Sequence, residues 1–120
     1  DLKELLHDNG VIYIEVPGIK NIPRSYHGDM IQYLQNAHAY HFTLKTLTNM
    51  MEKVGFGVLK GTEDIRAVYK KKDKEKTLHS DRNEAIGIIR FLILTDIKYK
   101  IGYYKMINII KTFFQHIIKN

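Results

Sequence analysis

Apolar and polar residues alternate along this chain in blocks, each with a recognisable period. Leu2, Leu5 and Leu6 recur at helical spacing and stop at Asn9-Gly10, where glycine supplies a left-handed helix end. Val11-Ile12-Tyr13-Ile14-Glu15-Val16 is a short β-rich run, nearly all apolar, closed by Pro17-Gly18. Such a run predicts a strand over 11–16 buried on both faces. Residues 18–42 have no continuous period and predict a long loop or lid, with a short helix over 29–36. Thr43 is a suitable cap for a helix over 43–54, whose stripe of Leu44, Leu47, Met50, Met51 and Val54 is expected to be buried. Gly55 ends that helix, and strands are predicted over 56–61 and 64–70 around the turn Gly61-Thr62-Glu63-Asp64. A lysine-rich stretch, 73–80, reads as a solvated linker. From Asp81 to the end the period is helical, with Ile86, Ile89 and Ile93, then Ile107, Ile110, Phe114 and Ile117, and a break at Gly102. Helix, tight turn and strand in succession predict an α/β fold.

Composition narrows the picture. At 120 residues, 44% of them apolar and 27% charged, the chain has the size and make-up of one globular domain. It has no cysteine, which removes disulfides, thiolate metal sites and cysteine nucleophiles. Its longest apolar runs, such as Phe91-Leu92-Ile93-Leu94, are far shorter than the ~20 residues of a membrane span. With no secretory signal at the N-terminus, a cytoplasmic location is expected. The net charge of +6 is unevenly spread: residues 1–69 sum to −1, residues 70–76 to +3, and residues 98–120 hold five lysines and no acid. The basic character therefore belongs to the linker and the tail, which argues against a basic docking face for nucleic acid on the front half.

Three segments in order carry a resemblance: Leu5-Leu6-x-x-Asn9-Gly10-Val11-x-x-x-Glu15-Val16-Pro17, then Ala37-His38-x-x-x-Phe42-Thr43, then Thr46-Leu47-x-x-Met50-Met51-x-x-Val54-Gly55-Phe56. Over residues 2–70 the chain resembles the C-terminal half of class I S-adenosylmethionine-dependent methyltransferases, in the branch with His-x-x-x-Phe-Ser/Thr before the Gly-Phe helix. The resemblance implies a partial Rossmann-like sheet, three-stranded and mixed, in the family order 5-7-6. It would have flanking helices, and the helical extension over 81–120 would follow. It also implies an acceptor-side lid within the segment 1–72, and a small-molecule or sugar-type acceptor. The family's glycine-rich turn and ribose-binding carboxylate are not found in this sequence. Gly55-Phe56-Gly57 follows a helix and has the wrong context. S-adenosylmethionine is thus the family's cofactor but is not expected to bind this segment alone. A chain that opens on Asp1 is read as a piece of a longer polypeptide whose N-terminal half carries the cofactor site.

His38 occupies the position of the histidine that serves as general base in some sugar-modifying members, and a neutral imidazole suits proton abstraction near neutrality. The family often has Glu before this histidine, where Ala37 stands here. Packing within the loop is the alternative role. His41 lies three residues on, a spacing that on a helix would set two imidazoles on one face, but no carboxylate close in sequence completes a metal set. Glu15 ends the first strand, where open α/β sheets gather ligand groups. Tyr26 and Tyr40 fall in the loop, where they are able to line an acceptor pocket with His41 or simply add core area. The basic helix 103–119 has two uses. It can pack on a sheet face or between copies, or attach to an anionic membrane surface. The general burial of apolar stripes favours packing. A homo-oligomer through the edge of strand 11–16 or through helix 103–119 is accordingly expected, ahead of a nucleic-acid or membrane partner.

Overall fold

The computed structural model describes residues 2–34, 38–72 and 82–118. The chain forms two compact units, residues 1–21 with 38–81, and residues 22–37 with 82–120. The expected basic linker, 73–80, lies outside the described residues.

The first unit is mixed α/β. It contains α1 (Leu2–Leu5), β1 (Val11–Glu15), α3 (Leu44–Lys53), β2 (Phe56–Gly61) and β3 (Arg66–Lys71). The sheet has the order β1-β3-β2, and both pairings are antiparallel. The expected mixed sheet, described above in the family order 5-7-6, is therefore replaced by an antiparallel one. Its physical origin is local: the turn after Gly61 folds β3 directly back on β2, and β3 then offers its other edge to β1.

The expectation that the 11–16 strand is buried on both faces is also corrected. β1 is an edge strand, with Val11, Tyr13 and Glu15 exposed and Ile12 and Ile14 half-buried. One face meets the core and the other meets water, as antiparallel sheets allow.

The core joins Leu47 and Met51 of α3 to Phe56, Ile65, Ala67 and Tyr69, flanked by Ile12, Ile14 and Val16. On α3, Met50 and Val54 are exposed, contrary to the expected stripe. At 100° per residue Met50 stands about 80° from the midline of Leu47 and Met51, and Val54 is the C-cap residue, whose backbone has already left the helix. The Thr48 hydroxyl lies 3.3 Å from the buried Tyr69 hydroxyl, which gives α3 a polar partner. The start of α3 is fixed by a capping box. Thr46 N–H donates to Thr43 Oγ1 at 3.1 Å, and Thr43 N–H donates to Thr46 Oγ1 at 2.9 Å. Gly55 (φ +80°) ends the helix in the left-handed region.

The second unit is helical: α2 (Met30–Leu34), α4 (Arg82–Lys100) and α5 (Tyr103–Ile118), with a turn at Tyr26–Gly28. Asp29 caps α2 by accepting from Gln32 N–H at 2.9 Å, and its other oxygen accepts from the Tyr99 hydroxyl of α4 at 2.9 Å. Gly102 (φ +73°) separates α4 from α5. Thr95 is buried, while Ile86, Ile89 and Ile93 of α4 and Ile110, Phe114 and Ile117 of α5 stay exposed.

Leu47→Ala should lower the stability of the first unit by about 2–5 kcal/mol through the cavity it leaves. Thr43→Ala should cost about 1 kcal/mol through loss of the cap. Urea unfolding followed by circular dichroism measures both.

Candidate functional site

The residues singled out from the sequence fall into different settings. Glu15 sits opposite Arg66 in the β1–β3 register. Its carboxylate accepts from Arg66 Nε at 2.9 Å and from the Tyr13 hydroxyl at 2.8 Å. These bonds, the tyrosine's foremost, hold Glu15 below its ordinary pKa and keep it an anion. It is an acceptor already engaged with an arginine, with no proton to give near neutrality.

His38, Tyr40 and His41 lie in the segment that leads into α3. This segment is not helical, so the one-face geometry considered for His38 and His41 does not arise. Its position is set by backbone pairing. Phe42 N–H donates to the Pro17 carbonyl at 3.0 Å, and Ile19 N–H donates to the Phe42 carbonyl at 2.9 Å. The two chains form an isolated parallel bridge between Gly18 and Phe42. His41 is thereby set next to the segment that leaves the carboxyl end of β1. His38 and Tyr40 are exposed and His41 is half-buried. Burial, with the nearby His38 as a second cause, holds the His41 imidazole below its ordinary pKa and favours the neutral ring. Among the described residues no group of three or more His, Cys, Asp or Glu could hold a metal ion.

Tyr26 belongs to the second unit, where its ring meets that of Tyr33 edge-on, with centroids 6.4 Å apart. Tyr26, His27 and Gly28 all have positive φ (50°, 55° and 85°), a left-handed turn that is costly for the first two. Gly28 suits this position, because a Cβ there would run into the Tyr104 ring. Beside this turn is a cavity of about 380 Å³ lined by Arg24 and His27 on one side and Tyr104, Ile107, Asn108 and Lys111 of α5 on the other. The Asn108 amide nitrogen lies 2.8 Å from His27 Nδ1, a hydrogen bond that ties the turn to α5. Sequence reasoning missed this cleft. Its two walls are about eighty residues apart, and Gly28 was its one local signal.

No protein-family model, curated protein or solved structure matches this chain.

The depressed His41 pKa has a definite consequence. Unfolded, the ring protonates near its ordinary value of 6.5; folded, it protonates only at lower pH. Between these values the unfolded state binds more protons, so stability should decline as pH falls below about 6.5 and level off below the folded value. An NMR titration of the His41 ring should find its midpoint below 6.5, and His41→Gln should flatten this part of the stability profile.

Proposed function

We propose that the chain is the acceptor-side C-terminal part of an S-adenosylmethionine-dependent methyltransferase with a Rossmann-like sheet, acting on a small-molecule or sugar-type acceptor. The observation that carries this reading is the bridge between Gly18 and Phe42, which sets the His38–Phe42 segment beside the exit of β1. Ligand groups of open α/β sheets gather at the carboxyl ends of strands. The resemblance over residues 2–70 supports the same assignment.

In this reading His38 takes a proton from an acceptor hydroxyl or amine, and the neutral His41 beside it contributes a hydrogen bond. Glu15, fixed as an anion, and Tyr40 line the acceptor side. In this reading the cofactor is held outside the described residues. Gly55-Phe56-Gly57 runs out of α3 into β2, the reverse of the strand–turn–helix order that cradles a nucleotide. The reading therefore assigns the cofactor to residues other than these.

The test is methyl transfer from labelled S-adenosylmethionine to a fraction of small sugars and metabolites, using the polypeptide encoded with its sequence upstream of Asp1. His38→Ala should lower kcat by about 10²–10⁴-fold, the usual contribution of a general base, with Tm unchanged. The 120-residue chain alone should give no heat on titration with the cofactor. Upstream sequence without a strand and glycine-rich turn, or full activity in His38→Ala, would overturn the proposal.

A second reading, a non-catalytic methyltransferase-derived module that self-associates, is favoured by the edge position of β1, which presents Val11 and Tyr13 to solvent. Exposed edges are templates for strand pairing. Under this reading a dimer mass should emerge in sedimentation across a concentration series and disappear on Val11→Pro. A monomer throughout would remove it.

A further inference from the structure

α5 carries an apolar face that no described residue of its own unit covers. Met106, Ile109, Ile110, Phe113, Phe114 and Ile117 recur at spacings of three and four and are each 47–71% exposed. At 100° per residue these six side chains share one face of the helix. Lys105 and Lys111, both exposed, border that face on opposite sides. Asn108, Thr112 and Gln115 fall between the two lysines on the opposite, polar side. Single exposed apolar residues are ordinary, but a contiguous face of this size marks a docking surface.

We propose that α5 docks in the plane of an anionic lipid surface, its phenylalanine-rich face among the acyl chains and its lysines at the headgroups. Charge selects this occupant. From residue 97 to the end the sequence has five lysines and no acid. The last acid, Asp96, is already paired with Lys100 at 2.7 Å. A second copy meeting this face would bring a second set of lysines and no carboxylate to match them. An anionic bilayer supplies the opposite charge, with each lysine near the surface adding roughly fivefold to affinity. Flanking lysines suit this position, because their alkyl stems lie along the apolar boundary while the ammonium reaches the phosphates.

The helix lies on the membrane rather than across it. Its 16 residues extend about 24 Å, short of the ~30 Å hydrocarbon core. Among the described residues no helix is long and apolar enough to cross a membrane. This docking is independent of the methyltransferase reading.

The experiment is flotation of the 120-residue chain with phosphatidylcholine vesicles, with and without phosphatidylserine, at low and high salt. The chain should float with phosphatidylserine vesicles at low salt and be released at high salt. The double variant Phe113→Asp/Phe114→Asp should bind at least tenfold more weakly, and Lys105→Glu/Lys111→Glu about tenfold or more, each with an unchanged circular dichroism spectrum. Because the protein has no tryptophan, Phe113→Trp provides a single reporter whose emission should shift to the blue only when phosphatidylserine vesicles are added. No flotation at low salt, equal flotation with neutral vesicles, or unweakened binding by the Asp variant would each overturn the proposal. A blue-shifted reporter and a dimer mass without vesicles, both abolished by the Asp variant, would assign the face to a second copy instead.

Discussion

Ile65 is a β-branched residue held at φ +56°, a conformation that such side chains rarely adopt. The first unit imposes this strain because one residue must do three things at once. The Ile65 side chain is fully buried against the α3 face. Its N–H closes the turn onto the Thr62 carbonyl at 2.9 Å. Its carbonyl accepts from Val16 N–H at 3.2 Å, which extends the β1–β3 pairing past the last ladder residue. Directly beneath, Gly18 leaves room that a Cβ would remove, since it would fall 2.8 Å from Ile65 Cγ1. From that point the chain is positioned step by step. Pro17 and Ile19 pair with Phe42, Phe42 precedes the Thr43 cap, and the cap launches α3. The backbone strain is offset by the apolar burial that it permits.

The two units solve the problem of apolar area differently. In the first, a three-stranded sheet and one amphipathic helix enclose a core in which Leu47, Phe56, Ile65, Ala67 and Tyr69 have almost no contact with water. In the second, polar bonds join the elements alongside the buried Ile22 and Tyr33. Asp29 is shared between the α2 cap and Tyr99, and Asn108 is bonded to His27. The long helices α4 and α5 leave much of their apolar surface exposed. Such helices have enough propensity and length to form, yet too few partners within the unit to bury their stripes. That imbalance explains why the functional interest divides: a polar segment beside a sheet edge in one unit, and an apolar face in search of a partner in the other.

The candidate sites were unevenly legible. His38 and His41 could be named because a motif-like spacing precedes a capped helix, and they lie in the segment that leads into the Thr43 cap of α3. The pairing of the neighbouring Phe42 with the segment beyond β1 could not be read, since it rests on backbone bonds between residues more than twenty positions apart. Glu15 could be named from its place at a strand end, but its ion pair depends on a register that sets Arg66 directly opposite. The cleft between the Tyr26–Gly28 turn and α5 had no local signature beyond a glycine, because consecutive left-handed residues oppose intrinsic preference and persist only where packing enforces them.

By itself the sequence carried the local signals that start and stop particular elements, above all α3 and the break between α4 and α5. Glycines at 55 and 102, the threonine cap at 43 and the β-rich runs are short-range signals whose energies act within a few residues. It also determined the charge distribution, with its neutral front and basic tail. Only the tertiary structure decided that the sheet is antiparallel, that β1 lies at an edge, and that Met50 and Val54 stay exposed while Thr48 meets the buried Tyr69 hydroxyl. It alone decided that the α5 stripe stays exposed. Those outcomes depend on which surfaces meet, and periodicity specifies that a face is apolar without specifying what covers it.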